Sequence, residues 1–91
     1  WTNAVEVQGI GHAYSRSNAY PNPFSQLLHV AIESDTPGRW EVIDIAGKRM
    51  IGGQYQGNLT IPGHHLPAGS YILMLTAFDG RLIGQHKICK Q

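Results

Sequence analysis

Apolar and polar residues alternate with a period of two along much of this chain. The stretch 27–33 is the clearest example, because Leu28, Val30 and Ile32 share one face while His29 points the other way. No apolar stretch keeps the three- and four-residue spacing of an amphipathic helix for long enough to support one. The pattern therefore predicts an all-β protein.

Seven strands are predicted, separated by Gly, Pro, Asn and Asp residues that favour turns. The predicted strands cover residues 4–8, 27–33, 39–45, 48–55, 58–61, 71–78 and 82–90. A polar loop or linker is expected over residues 9–19, before the proline-rich segment that follows it. Seven short strands in 91 residues predict a single domain with the fold of an immunoglobulin-like antiparallel β-sandwich.

Two turns and one corner refine this prediction. Gly47 is expected to take a positive φ in a type I turn with a glycine bulge over residues 44–48. The pair Asp79-Gly80 predicts a two-residue type I′ hairpin turn. Tyr71 stands at a corner before a strand, where sandwiches often bond the tyrosine hydroxyl to nearby backbone while its ring fills the core.

The predicted strand 71–78 is apolar on both faces, whereas a strand with one face in water should alternate. One face carries Tyr71, Leu73, Leu75 and Ala77, and the other carries Ile72, Met74 and Phe78. We therefore expect the loop 20–24 or a partner to cover the second face.

Composition and charge exclude several classes of function. The net charge is +1 and the basic residues are scattered, which disfavours a nucleic-acid-binding surface. No apolar run approaches the roughly 20 residues that span a bilayer. The start at Trp1 has neither the basic region nor the apolar core of a signal peptide, so we expect a fragment of a longer protein.

Candidate catalytic and metal-binding chemistry is weak. His64 and His65 are adjacent, and neighbours in an extended chain point in opposite directions, so a shared metal is not expected. His86 lies three residues from Cys89, on the opposite face of a strand, and Cys89 is expected to be a small buried side chain. We predict no enzyme activity, no metal and no cofactor.

Six motifs occur in a fixed order along the chain. They are AVE at 4–6, YPNPF at 20–24, LLHV at 27–30, WEVIDIAGK at 40–48, LPAGSYIL at 66–73 and HKICK at 86–90. In this order and spacing the chain closely resembles the type A C-terminal sorting domain of the type IX secretion system of Bacteroidetes bacteria. The resemblance covers nearly the whole sequence.

The resemblance implies a role as a secretion signal rather than a catalyst. Such domains travel to the periplasm with their cargo, and the outer-membrane translocon and its shuttle proteins then recognise them. A sortase-like cysteine peptidase usually removes the domain, and the cargo is often joined to an anionic lipopolysaccharide at the cell surface. Cleavage is expected upstream of Trp1 or within residues 11–18.

The family's recognition features also transfer to this sequence by resemblance alone. They fall on Pro21, Asn22, Pro23, Gly47, Gly69, Tyr71, Lys87, Ile88 and Lys90. The strand 82–90 is expected to lie at a sheet edge, where a receptor could extend the sheet by strand addition. Edge strands also make a dimer plausible.

Two other hypotheses remain open from the sequence. The first is a retained adhesion or carbohydrate-binding sandwich, for which Tyr14, Tyr20, Trp40 and Tyr55 could form an aromatic platform, although Trp40 shares a face with Val42 and so favours the core. The second is a purely structural module between domains.

Overall fold

Seven antiparallel strands and no helix make up the part of the chain that the computed structural model describes, residues 17–33 and 36–91. The strands are β1 (Ser17–Tyr20), β2 (Leu27–Ile32), β3 (Gly38–Asp44), β4 (Arg49–Tyr55), β5 (Leu59–Pro62), β6 (Gly69–Ala77) and β7 (Leu82–Lys90). The strand predicted at 4–8 and most of the predicted polar loop lie outside the described residues.

The predicted polar loop 9–19 extends too far, because its last residues Ser17, Asn18 and Ala19 belong to the strand β1. β1 pairs with β2 from Ser17 opposite Ile32 to Tyr20 opposite His29. Ser17 and Ala19 are half-buried, while Asn18 and Tyr20 are exposed. The strand was hidden in the sequence because its inward side chains are small and only weakly hydrophobic.

The strands form two sheets that pack together as a sandwich. The order is β1-β2-β5 in the three-stranded sheet and β4-β3-β6-β7 in the four-stranded sheet. The buried core draws on both sheets and on two loops. Its members are Phe24, Leu28, Val30, Ile32, Val42, Tyr55, Ile61, Leu66, Tyr71, Leu73, Leu75, Ala77, Ile83 and Ile88. The prediction of an immunoglobulin-like β-sandwich is confirmed.

The predicted tyrosine corner is present at the start of β6. Tyr71 is buried, and its hydroxyl donates a hydrogen bond to the carbonyl oxygen of Pro67, four residues upstream. The bond fixes the loop that leads into β6 while the ring fills the core beside Ile88 of β7, its partner in the register.

The two predicted hairpin turns share one geometry. The amide of Gly47, at φ +89°, donates to the carbonyl of Asp44, and the amide of Asp44 donates to the carbonyl of Lys48. This confirms a type I turn with a glycine bulge. The prediction of a two-residue turn at Asp79-Gly80 is wrong, because Ala77 and Arg81 make the same bonds around Gly80.

The outer face of β6 differs from what its apolar pattern predicted. Ile72 and Met74 are half-buried beside their neighbours in the sheet, and Phe78 lies in the following turn with 51% of its surface exposed. The loop 20–24, one of the two coverings expected for this face, lies elsewhere. It bonds instead along the edge of β7, since Asn22 and Phe24 donate to and accept from the backbone there.

The tyrosine corner can be tested with a matched pair of tyrosine variants. We expect Tyr71→Phe to lower the free energy of unfolding by about 1–2 kcal/mol, because the Pro67 carbonyl loses its donor. Tyr55→Phe is the control: its buried hydroxyl has no hydrogen-bond partner among the described residues, so its removal should cost nothing. Urea denaturation measures both, and equal effects would contradict the assignment.

Candidate functional site

A short segment before β2 lies against the outer edge of β7 and forms what we call the clasp, residues 22–24. The side-chain amide of Asn22 donates to the carbonyl of Lys87 (3.0 Å), and its oxygen accepts from the amide of Cys89 (2.9 Å). The amide of Phe24 donates to the carbonyl of Cys89 (2.9 Å), and its carbonyl accepts from the amide of Gln91 (2.8 Å). These four bonds form a short parallel ladder.

The Asn22 side chain acts in this ladder as a substitute for a peptide group. Phe24 donates to one residue of the edge and accepts from the residue two positions further on, and the Asn22 carboxamide repeats this pattern one step earlier. Pro21 and Pro23 have no amide hydrogen to donate. The side chain between them supplies the missing donor together with an acceptor.

Phe24 anchors the clasp in the core. Its ring is only 1% exposed and packs against Gly63, where even a methyl group would collide with it. The sequence resemblance did not single out Phe24 as a site residue. The available signal was a lone aromatic residue directly after Pro23, just before the strongly alternating stretch 27–33.

The clasp corrects the expectation of an open sheet edge. The outward backbone groups of Cys89, together with the carbonyl of Lys87 and the amide of Gln91, are already bonded to Asn22 or Phe24. A receptor cannot pair with this stretch of β7 by strand addition while the clasp is in place. The features that remain exposed at this end are side chains.

The register places the residues named by the resemblance at one end of the four-stranded sheet. Asp44, which begins the turn that contains Gly47, pairs with Tyr71, and Tyr71 pairs with Ile88. Gly69 pairs with Lys90, and Lys90 forms a parallel bridge to Phe24. The clasp, with Pro21 beside it, completes the row.

These residues divide into buried and exposed groups. Tyr71 and Ile88 are buried and belong to the core, whereas Pro21, Pro23 and Lys87 are exposed. Lys90 is half-buried, and its ammonium donates to the carbonyl of Gln91. The prediction that Cys89 is buried is wrong: the thiol is exposed, since its position in β7 puts it on the same outer face as Lys87.

Positive charge collects at the same end of the sheet. The salt bridges among the described residues, Arg49 with Glu41 and Arg81 with Asp79, leave Lys48 and Lys87 without a carboxylate partner, while Lys90 bonds the main-chain oxygen of Gln91. Asp44 lies at this end of the sheet, opposite Tyr71, and its Oδ1 accepts from the amides of Ala46 and Lys48. The charges of the exposed Lys48 and Lys87 are therefore available to a partner.

A polar contact joins the two sheets further along β7. Ser17 Oγ lies 2.7 Å from Nε2 of the half-buried His86, and Gly84 leaves the space that the serine occupies. Burial lowers the pKa of His86 below its usual 6.5, because the charged imidazolium is poorly solvated there. Neither Ser17 nor this role of His86 was predicted from the sequence.

The described residues contain no cluster of three His, Cys, Asp or Glu side chains suited to a metal ion. His64 and His65 do not point apart as predicted, because they lie in a turn, with ring centroids 4.0 Å from each other. No helix in the described part of the chain is long and apolar enough to cross a membrane.

Comparison with known families identifies a matching family model. The model of the secretion system C-terminal sorting domain matches residues 18–91, which include the clasp, the tyrosine corner and all of β7. A comparison with curated proteins gave no match.

The buried histidine predicts a stability that depends on pH. Because the folded pKa of His86 lies below its unfolded value, the unfolded chain binds more protons as the pH falls below 6.5, and the fold is destabilised. We expect His86→Gln to reduce the loss of stability between pH 7.5 and pH 5, measured by urea denaturation. His64→Gln, in an exposed turn, is the control; a wild-type pH dependence in His86→Gln would contradict the account.

Proposed function

The chain belongs to the family of secretion system C-terminal sorting domains, and we propose that the clasped end of its four-stranded sheet is the surface that the translocon recognises. The family membership makes the chain a type IX secretion signal that directs a cargo protein to the cell surface or to secretion. A sorting domain of this kind is a secretion tag and not a member of a catalytic family.

The proposed recognition surface consists of the side chains that stay exposed when the backbone edge is closed. Pro21 and Pro23 flank the clasp, and Lys87 projects from β7. Lys90 and Lys48 add positive charge at the same end. The observation that carries the proposal is the exposed lysine charge of Lys48 and Lys87 beside a strand whose position is fixed by the Asn22 and Phe24 bonds.

The remaining site residues support this surface from within. Gly47 permits the tight turn that brings Lys48 back towards β3, and Gly69 begins β6 opposite Lys90. Tyr71 and Ile88 pack side by side in the core beneath the exposed side chains. Their role in recognition is to hold the end of the sheet in place.

We propose the following route for the cargo. The domain passes through the periplasm, where shuttle proteins deliver it to the outer-membrane translocon. A sortase-like cysteine peptidase then cleaves upstream of the sandwich, and the cargo is attached to an anionic lipopolysaccharide. The family membership supports an interaction with the secretion system, and the individual partners are part of the proposal.

The alternative of a retained carbohydrate-binding or adhesion module has no support from the comparisons. Two of the four aromatic residues considered for a platform are used in packing. Trp40 is half-buried against the core over Gly53, and Tyr55 is 5% exposed. Tyr20 is exposed beside His29, and Tyr14 lies outside the described residues.

Charge reversal at the lysines tests the proposed surface. The chain is fused to a fluorescent carrier with an N-terminal export signal and expressed in a Bacteroidetes host with a type IX system. We expect Lys87→Glu combined with Lys90→Glu to lower the secreted fraction about tenfold, because like charges across an interface cost several kcal/mol. The corresponding double arginine variant should be secreted normally.

The matched control for that experiment is Arg39→Glu, which reverses a charge in an exposed side chain at the opposite end of the same sheet. It should be secreted like the wild type. Equal secretion of the Lys87→Glu/Lys90→Glu variant and the wild type would rule out the proposed surface, provided that both fusions accumulate as folded protein in the cell.

Removal of the domain is tested by the mass of the secreted cargo. Intact-mass spectrometry should find a mature cargo that lacks at least residues 19–91, because the cleavage point is expected upstream of Trp1 or within residues 11–18. A host without the sortase-like peptidase should retain the full mass. Recovery of the complete chain on the secreted wild-type cargo would contradict removal.

A further inference from the structure

The edge of β7 is a place where two copies of this chain could join. β7 is the outermost strand on its side of the four-stranded sheet, and edge strands present unpaired backbone groups that another strand can use. Natural sheets block such edges with covering loops, prolines and charged side chains. At this edge the segment Pro21-Asn22-Pro23 is a covering loop with two prolines, and Lys87 is an exposed charged side chain.

We propose that the clasp is an edge guard, which prevents β7 from pairing with the β7 of a second copy of this chain. This inference goes beyond recognition by the translocon and does not depend on it. The four bonds from Asn22 and Phe24 occupy the groups of Lys87, Cys89 and Gln91 that a second strand would need. The guard is part of the domain itself, so it acts as soon as the domain folds.

The chemistry of the guard explains why asparagine stands between the two prolines. A neighbouring strand must both donate to the Lys87 carbonyl and accept from the Cys89 amide. Asparagine offers a donor and an acceptor at the end of one short side chain, whereas aspartate offers acceptors only. The prolines themselves cannot donate to a second strand, so the outer side of the clasp is a poor template for further pairing.

Lys87 provides a second guard at the same edge. Its side chain is exposed on β7, next to the part of the edge that the clasp covers. In an antiparallel pair of β7 strands centred on this residue, the two ammonium groups would face each other, and like charges in that position are destabilising. Removing one guard leaves the other, so both have to be removed to open the edge.

The test compares the wild-type 91-residue chain with the double variant Asn22→Ala/Lys87→Thr, all in a Cys89→Ser background that excludes disulfide-linked dimers. Light scattering during size-exclusion chromatography gives the molar mass over a range of concentrations. We expect the wild type to stay monomeric and the double variant to form a dimer. The dissociation constant of that dimer should be roughly tenfold or more below any value measured for the wild type.

The matched control is Asn18→Ala/Lys48→Thr, which makes the same two substitutions at exposed positions outside the clasp and β7. It should remain monomeric. Asn22→Asp/Lys87→Thr is a second opening variant that keeps the side-chain shape, in case the alanine variant does not fold. Folding of each variant is checked by circular dichroism.

Hydrogen exchange at residue 89 completes the test. In the opened variant the amide of residue 89 should exchange about tenfold faster as a dilute monomer and become protected again in the dimer. A folded double variant that stays monomeric at all concentrations overturns the proposal. So does an unchanged exchange rate at residue 89, because Asn22 would then not be closing the edge.

Discussion

The structure depends on the parallel ladder between residues 22–24 and the end of β7. Four hydrogen bonds, two of them from the Asn22 carboxamide, fix the connection between β1 and β2 against β7. The same segment places Phe24 between the sheets, so one local arrangement closes an edge and fills the core. The ladder joins residues that lie more than 60 positions apart in the sequence.

The proposed recognition surface is therefore held by the fold rather than standing apart from it. Lys87 and Cys89 project from the outer face of a strand whose inner face carries the buried Ile88. The tyrosine corner fixes the adjacent strand, and the Asp44 turn ends the next one. The proposed surface thus presents side chains from a hydrogen-bonded end of the four-stranded sheet.

The sequence predicted the architecture well because its causes are local. Strand-like runs between turn residues located six of the seven strands, and the glycine turn at Gly47 and the corner at Tyr71 follow from backbone and hydroxyl chemistry close in sequence. β1 escaped because Ser17 and Ala19 carry little hydrophobic signal. The Asp79-Gly80 turn was misassigned because the same two residues fit either of two hairpin geometries.

The candidate site could be named in part but not assembled from the sequence. The resemblance supplied its residues, yet the closed edge arises from contacts between Asn22 and strand residues far along the chain, which no local pattern reveals. Cys89 was misplaced because the sequence did not show which face of β7 is inward. The contact between Ser17 and His86 likewise depends on the packing of two sheets.

The central claim is that the clasp closes the edge of β7 over residues 87–91 in the native domain. Residue-resolved hydrogen exchange on the wild-type chain tests it most directly, through the outward-facing amides of Cys89 and Gln91. The account predicts that both are protected to a similar degree as the amides that pair β6 with β7. Exchange of both amides at the rate of an unstructured peptide would contradict it.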